Sequence, residues 1–256
     1  MKRMLKSVTT IFVIAFLITL SPLKAQEETT GSSNFSIGAD LVSRYIWRGL
    51  NLGGSSPNVQ PYLEYSFGES GLAIGAWGSY SLGYGTAGTE ADLYLSYTPV
   101  DPLTITVTDY FFPSDIPFGV NDYFNYKKDQ TGHTFEGMIT FNGTESLPVY
   151  ATFAMNFYGV DGTDENGNNY HAKYLELGYN GSAGNVDLTT FMGLALDDPK
   201  EEQGATGWYG NSFGVINLGI TASKTLNLGK AALPASSSLI FNPEAGNIYI
   251  VFGVSL

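Results

Sequence analysis

About twelve segments of some ten residues each, in which apolar and polar side chains alternate, run along most of this 256-residue chain. Segment 148–158 puts Val149, Phe153 and Phe157 on one face and Asn156 on the other. Clusters of Gly, Pro, Asn and Asp separate the segments, and helical periodicity is almost absent. Since side chains alternate along a β-strand, the chain is predicted to be all-β. The predicted strands are 35–48, 58–67, 71–82, 89–98, 103–112, 132–142, 148–158, 171–180, 185–196, 211–223, 234–242 and 247–256.

The connections between the predicted strands alternate in length, which is typical of a bacterial transmembrane β-barrel. An up-and-down antiparallel barrel of about 12 strands, with both termini in the periplasm, has long extracellular loops and short periplasmic turns. The connection 224–233 is longer than this alternation predicts, and 243–246 is shorter. The long connections are 49–57, 83–88, 113–131, 159–170 and 197–210, and the short ones are 68–70, 99–102, 143–147 and 181–184.

Composition separates this prediction from its main alternative, a soluble β-sandwich or jelly roll. The chain holds 17 Tyr, 16 Phe and 3 Trp, and only 14% of its residues are charged. Soluble domains average about 25% charged residues and commonly have strands of about five or six residues. Long strands with bulky apolar faces and few charges therefore favour a barrel that faces lipid.

The first residues predict export. A basic start is followed by the apolar run 8–20 and then by the small residue Ala25, the arrangement of a cleaved signal peptide. The run is shorter than the roughly 20 residues that a transmembrane helix needs. The predicted organisation is a signal peptide at 1–25, a short lead at 26–34 and a β-barrel domain at 35–256.

Charge and cysteine content exclude several classes of protein. Cleavage after Ala25 removes four of the 12 basic residues and none of the 24 acidic ones, so the formal charge becomes about −16. Nucleic-acid binding needs clustered Lys and Arg, so we expect none. The chain has no cysteine, which excludes a disulfide framework and a lipid anchor on cysteine. No cofactor is predicted.

Two stretches in the first third resemble the TorF-type porin family of bacterial outer-membrane β-barrels, which is largely uncharacterised. They are 43–50 (SRYIWRGL), and 59–65 (VQPYLEY) leading into 70–79 (SGLAIGAWGS). The resemblance implies a barrel and a pore, but it specifies no solute. One departure concerns the last strand, which ends in Leu256 where such barrels usually end in Phe or Trp. Phe252 is then the candidate aromatic of the assembly signal.

Charged residues on the predicted lumen face are the candidate functional site. Arg44 and Arg48 lie four residues apart, about 13 Å along the predicted first strand, and Glu64 on the neighbouring strand is a candidate partner. Two interpretations remain open: an ion-pair network that fills a narrow barrel, or a ring that selects solutes by charge. Acids outnumber arginines, so a conducting lumen would prefer cations. The predicted lumen set is Asp40, Arg44, Arg48, Glu64, Glu90, Asp92, Glu136, Glu176 and Asp187.

Other side chains and loops carry weaker predictions. Loop 113–129 either folds inward as a constriction or stays on the surface, and loop 161–168 resembles a calcium loop without the EF-hand order. An enzyme would need a Ser–His pair at the outer rim, and only His133 and His171 are available. The chain is therefore predicted not to be an enzyme. Six aromatic residues are predicted to face inward, to fill space or to stack a solute: Tyr62, Trp77, Tyr94, Tyr110, Tyr150 and Tyr174.

The predicted function is a porin in the outer membrane through which small solutes diffuse, with a mild cation preference. The alternative is a closed structural or adhesive barrel whose extracellular loops bind a partner or lipopolysaccharide. A lipid-modifying enzyme is a third candidate. Predicted partners are outer-membrane lipid and lipopolysaccharide, the barrel-assembly machinery through the last strand, and small solutes. Monomeric and homo-oligomeric states both remain open.

Overall fold

The computed structural model describes residues 34–83, 89–113, 122–127, 130–229 and 231–256, so the predicted signal peptide lies outside the described residues. Nearly all of the regular structure in these ranges is β-strand. The strands are β1 (Phe35–Val42), β2 (Ile46–Trp47), β3 (Leu50–Asn51), β4 (Asn58–Ser66), β5 (Leu72–Ser81), β6 (Glu90–Val100), β7 (Leu103–Phe111), β8 (His133–Phe141), β9 (Val149–Gly159), β10 (Lys173–Ala183), β11 (Val186–Ala195), β12 (Gly214–Leu228), β13 (Ala231–Asn242) and β14 (Asn247–Ser255).

Twelve of these strands form one closed antiparallel barrel in up-and-down order, which confirms the predicted fold class. Each wall strand pairs with its neighbours in the chain, and β1 closes the ring by pairing with both β4 and β14. Strands β2 and β3 pair only with each other and stand outside this ring. A closed barrel leaves no unpaired strand edge, because every wall strand has two partners.

The register divides each wall strand into an inward and an outward face. Glu64 of β4 pairs with Gly75 of β5, and Gly75 pairs with Tyr94 of β6, so these three residues share the lumen face. Along each strand, many of the residues that alternate with the inward ones carry large apolar side chains that are exposed on the outside of the barrel. Examples spaced around the ring are Ile37, Leu63, Leu95, Ile139, Leu177 and Ile250.

Long and short connections meet at opposite ends of the barrel, called here the long-loop rim and the short-turn rim. The predicted connection 224–233 is wrong, because β12 and β13 continue toward each other until Leu228 pairs with Ala231. Pro234, the first residue of the predicted strand 234–242, lies within β13 opposite Thr225. The tenth connection is thus a short turn, as the alternation requires, whereas the eleventh, 243–246, remains short at the long-loop rim.

No helix in the described part of the chain is long and apolar enough to cross a membrane.

Candidate functional site

The first loop, residues 43–57, leaves the barrel wall at the end of β1. The wall strand stops at Val42, and the backbone N–H of Ser43 donates to the carbonyl oxygen of Phe252 at 2.8 Å. The predicted strand 35–48 is therefore too long. The alternation of apolar and polar residues continues beyond Val42, where β1 ends. The following segment is buried in the lumen, and its side chains contact apolar and polar groups alternately.

The tip of the first loop is a hairpin with Arg48 and Gly49 at its turn. Strands β2 and β3 pair across it, and the two residues have φ values of 49° and 78°. Two successive positive φ values define a type I′ turn, which joins antiparallel strands with two residues. Arg44 and Arg48 therefore do not lie four apart on one strand face, because only Arg48 is at the turn.

Contacts of the first loop reach strands far apart around the ring. The Tyr45 hydroxyl donates to the carboxylate of Glu90 on β6 at 2.7 Å. On another side, the side-chain amide of Asn242 on β13 donates to the carbonyl oxygen of Gly49 at 3.2 Å. Burial, reinforced by the charge of Glu90, raises the pKa of Tyr45 far above its ordinary value, so its phenol remains a donor. The loop therefore crosses the lumen and is anchored at both sides.

Aromatic contacts attach the same loop to two further strands. The Trp47 ring meets the edge of Tyr110 on β7 at 5.6 Å between ring centroids. The Arg44 guanidinium lies 5.9 Å from the ring centre of Tyr249 on β14. Together with β6 and β13, these anchors surround the lumen, so the first loop forms a constriction on the long-loop side.

Arg48 forms a buried two-point ion pair with Glu136 of β8. Its Nη2 donates to Oε1 at 2.9 Å and its Nη1 donates to Oε2, and the two side chains are only 10% and 1% exposed. Tyr110 donates to Oε1 at 3.0 Å and Tyr209 donates to Oε2 at 3.2 Å. Both carboxylate oxygens are satisfied, as a buried charge requires. Glu64, the partner expected from neighbouring strands, is not the partner.

Three aromatic rings complete the surroundings of this guanidinium. The carbon at its centre lies 4.5 Å from the ring centre of Trp47, 4.6 Å from Tyr174 and 5.7 Å from Tyr209. Cations are attracted to aromatic ring faces at such distances. We call the three rings together with the Glu136 carboxylate the arginine cage.

A second long loop, residues 196–213, closes the cage from the long-loop rim and supplies Tyr209. The hydroxyls of Thr163 and Thr206 lie 2.9 Å apart and join this loop to the preceding long connection. The backbone N–H of Asn211 donates to Glu244 at 2.7 Å, which ties the loop to the turn after β13. The cage is thus built from two loops and the wall, and its parts come from widely separated stretches of the chain.

Below the constriction, lumen tyrosines lie across glycines of neighbouring strands. Tyr94 of β6 crosses Gly75 of β5 and donates to Glu64 of β4 at 2.9 Å. A side chain on Gly75 would overlap the tyrosine ring. An aromatic ring laid over a glycine covers exposed backbone, and here it also carries a donor to a lumen carboxylate.

Glu176 has a similar but fuller set of donors on the other side of the barrel. Tyr150 donates to it at 2.8 Å, the amide of Asn217 donates at 2.9 Å, and the Tyr174 hydroxyl donates as well. Gly193 lies between Glu176 and Asn217 in the register, and its lack of a side chain lets the two meet. Three neutral donors therefore satisfy this carboxylate, and no ion pair with it is found among the described residues.

The structure places seven of the nine predicted lumen residues on inward strand positions and the two arginines in the first loop. Glu90, Asp92 and Glu136 are buried, at 3%, 6% and 1% exposure. Asp187 is exposed near the short-turn rim, opposite Ser182. The lumen positions of the acids follow from alternation. Tyr45, Tyr209 and Asn217 lie in or beside the site but were not singled out, because none stands out in the sequence.

The described part of the third long loop, 122–127, lies against the outer face of the barrel. The carbonyl oxygen of Tyr123 accepts a hydrogen bond from the Nε2 of His133 at 2.6 Å, and the Tyr126 ring stacks on the same imidazole at 4.4 Å. His133 alternates with the inward residues of β8, so it points outward. The prediction that this loop folds inward rests mostly on 114–121, which lie outside the described residues.

Neither histidine has the partner that a hydrolase would need. His133 bonds to Asp109 at 2.7 Å through Nδ1, and the Nδ1 of His171 lies 3.1 Å from the carbonyl oxygen of Asn156. Within the described ranges, neither ring is bonded to a serine. The absence of enzyme activity stays a prediction.

The acidic loop 161–168 is organised by its own backbone. Asp164 accepts hydrogen bonds from the N–H groups of Asn166 and Asn168 at 2.9 and 2.8 Å. The side-chain amide of Asn168, which donates to Asp164 at 3.1 Å, and these backbone bonds lower the pKa of Asp164 and hold a turn. In the part of the chain that the structure describes, no group of three or more His, Cys, Asp or Glu side chains could hold a metal ion.

The fold and the lumen site define a closed β-barrel whose own first loop crosses the lumen. The chain belongs to the Gcw_chp family, described as bacterial proteins of unknown function, which matches residues 26–238. No curated protein matches the chain. The family description specifies no porin. The resemblance to TorF-type porins therefore stays a prediction.

Proposed function

We propose that the protein is a narrow outer-membrane channel for small solutes, with a preference for cations and with its first loop as the constriction. The observation that carries the membrane location is the outer surface of the barrel. Large apolar side chains are exposed on the outward face of every wall strand, as Ile37 (77%) and Ile250 (61%) illustrate. A soluble protein rarely exposes so continuous an apolar surface, whereas lipid covers it in a membrane.

The charges in the lumen support the cation preference. Seven acidic side chains occupy inward positions, against two arginines, and Arg48 is already neutralised by Glu136. Glu64 and Glu176 accept hydrogen bonds from neutral tyrosines instead. Rings of carboxylates in a pore favour cations over anions.

Export, assembly and partners follow from the same proposal. The signal peptide predicted at 1–25 would direct the chain out of the cytoplasm, and β14 with Phe252 would serve the barrel-assembly machinery. Lipopolysaccharide and outer-membrane lipid would surround the apolar wall. The resemblance to TorF-type porins supports a pore, and the oligomeric state is left open.

A second candidate function is a closed structural or adhesive barrel that binds a partner or lipopolysaccharide through its long loops. The observation that favours it is the anchoring of the first loop on both sides of the lumen, through Tyr45 to Glu90 and through Gly49 to Asn242. A loop held so firmly would leave no path for a hydrated ion. The two functions differ in conductance.

Conductance of the refolded chain in a planar bilayer under a KCl gradient separates these functions. We expect stepwise conductance with a reversal potential that favours K⁺. Asp187→Asn, which removes an exposed lumen charge, should reduce this preference. Asp101→Asn is the matched control, because it removes the same charge from an exposed turn at the short-turn rim. A folded barrel that never conducts would favour the closed barrel, and an anion-favouring potential would contradict the charge argument.

The proposed orientation is testable with single cysteines, since the chain has none of its own. Asn166→Cys lies on an exposed long loop and Ser146→Cys on an exposed short turn. In intact cells, a membrane-impermeant maleimide is expected to label the first variant only. Permeabilising the outer membrane should then expose the second. Labelling of Ser146→Cys in intact cells would reverse the orientation, and labelling of neither variant after permeabilisation would contradict the location.

A further inference from the structure

The arginine cage has the composition of a binding site for an organic cation. Glu136 presents two carboxylate oxygens side by side, and Trp47, Tyr174 and Tyr209 present rings within 6 Å of the bound charge. Aromatic rings around a carboxylate attract a flat or alkylated cation more than a small hydrated ion, because the ring faces replace its weak hydration. In this structure the occupant is the protein's own Arg48.

We propose that the arginine cage is a binding site for small solutes that carry a guanidinium group, and that Arg48 fills it as a tethered substitute for such a solute. The fork of two parallel hydrogen bonds to Glu136 selects a planar guanidinium over an ammonium, which cannot match both oxygens. The wall supplies Glu136, Tyr110 and Tyr174, and the loop 196–213 supplies Tyr209. These groups would remain in place when the first loop withdraws and carries Trp47 away.

A buried acceptor beside the cage supports the proposal. Asn217 donates to the Tyr174 hydroxyl at 3.1 Å and to Glu176. Its Oδ1 is buried and has no hydrogen-bond partner among the described residues. A guanidinium has five N–H donors, and Arg48 directs two of them to Glu136, one to the Tyr209 hydroxyl and one to the Met138 sulfur. An unused acceptor next to the site suits a solute with donors to spare.

Arg48 is held in the cage by a loop that is strained at its tip. A non-glycine residue at φ 49° is uncommon, because the side chain then crowds the following carbonyl oxygen. A free solute has no such backbone cost, but it competes with a tethered group whose effective concentration is on the order of millimolar. Displacement of Arg48 is therefore expected at millimolar solute or above, and it would release the constriction.

Only the release of the constriction depends on the proposed channel function. Binding of a guanidinium solute can be measured without recording conductance. Arginine side chains labelled with ¹⁵N report it directly, because the chain has three arginines: Arg3, Arg44 and Arg48. In the folded barrel in detergent, methylguanidinium is expected to move the Arg48 Nε signal saturably toward its position in free arginine. The Arg44 signal should move less, because Arg44 follows Ser43, whose backbone N–H bonds the base of the loop to the wall. Equal movement of both signals, or of neither, would overturn the proposal.

Two substitutions test the site further, one that removes the competing Arg48 side chain and one that removes the charge of Glu136. Arg48→Ala should bind methylguanidinium at lower concentration than the wild type, followed by tryptophan fluorescence, and about tenfold more tightly than it binds methylammonium. Lys224→Ala, which removes an exposed cation outside both the cage and the first loop, should bind like the wild type. Glu136→Gln added to Arg48→Ala should abolish binding. A folded Arg48→Ala barrel without saturable binding would refute the site, and the labelling experiment stands if that variant does not fold.

Discussion

Replacing Glu136 by glutamine is expected to destabilise the barrel strongly and to raise its conductance. The substitution keeps the shape of the side chain but leaves the guanidinium of Arg48 buried without a countercharge. Removing one partner of a buried ion pair costs about 3–5 kcal/mol. The first loop can avoid this cost by carrying Arg48 out of the lumen, which removes the constriction. The midpoint of heat-modified migration on a gel measures the first effect, and single-channel recording measures the second.

Glu64→Gln is the matched control for this prediction. Glu64 is also a lumen carboxylate and accepts a hydrogen bond from Tyr94 at 2.9 Å, but it pairs with no cation in the ranges that the structure describes. Losing one such bond costs about 1 kcal/mol. Equal shifts in midpoint for the two variants would show that the ion pair with Arg48 does not hold the loop in the lumen.

The wall of the barrel could be predicted from the sequence because alternation is a local property. Ten residues suffice to show which side chains face outward, so segments such as 148–158 agree closely with β9. Errors arise where local patterns have two explanations. The sequence predicts a long connection at 224–233, but β12 and β13 pair as far as Leu228 and Ala231 and turn tightly at Gly229.

The first loop could not be predicted because its conformation depends on distant residues. Arg48 and Glu136 are 88 positions apart, and Arg48 and Tyr209 are 161 apart. Which strands face one another across the lumen follows from the tilt and stagger of the closed barrel, and the sequence states neither. A local signal was present in Arg48-Gly49, since glycine is common at the second central position of a type I′ turn. Asn or Asp usually precedes it.

The structure puts the predicted lumen acids on inward strand positions, but Arg48 pairs with Glu136 and not with Glu64, the candidate partner. Alternation alone assigns Glu136 and Glu176 to the lumen. Their partners depend on glycines that leave room between strands, as Gly193 does between Glu176 and Asn217. An inward glycine beside an inward aromatic residue is the sequence signal for such contacts. This signal can be used only when the register of the strands is known.

Gly49→Ala is expected to expel the first loop from the lumen. Gly49 has a φ of 78°, and an added Cβ would overlap the carbonyl oxygen of Ile216 on β12. The residue thus has two reasons to be glycine: a left-handed backbone and a close approach to the wall. An alanine here would break the hydrogen bond from Asn242 and draw Trp47 out of the cage. We expect a large increase in conductance and a shift of tryptophan emission to longer wavelength.

Gly184→Ala separates the two reasons. Gly184 also has a positive φ, of 63°, but nothing lies within 4 Å of the position of an added Cβ. It therefore bears the backbone cost alone, about 1–2 kcal/mol, at a turn on the short-turn rim. If the contact of Gly49 with β12 holds the loop in the lumen, Gly49→Ala should lower the heat-modification midpoint more than Gly184→Ala does. Only Gly49→Ala should then change the conductance. Matching behaviour of the two variants would mean that backbone strain, and not contact with the wall, determines where the first loop lies.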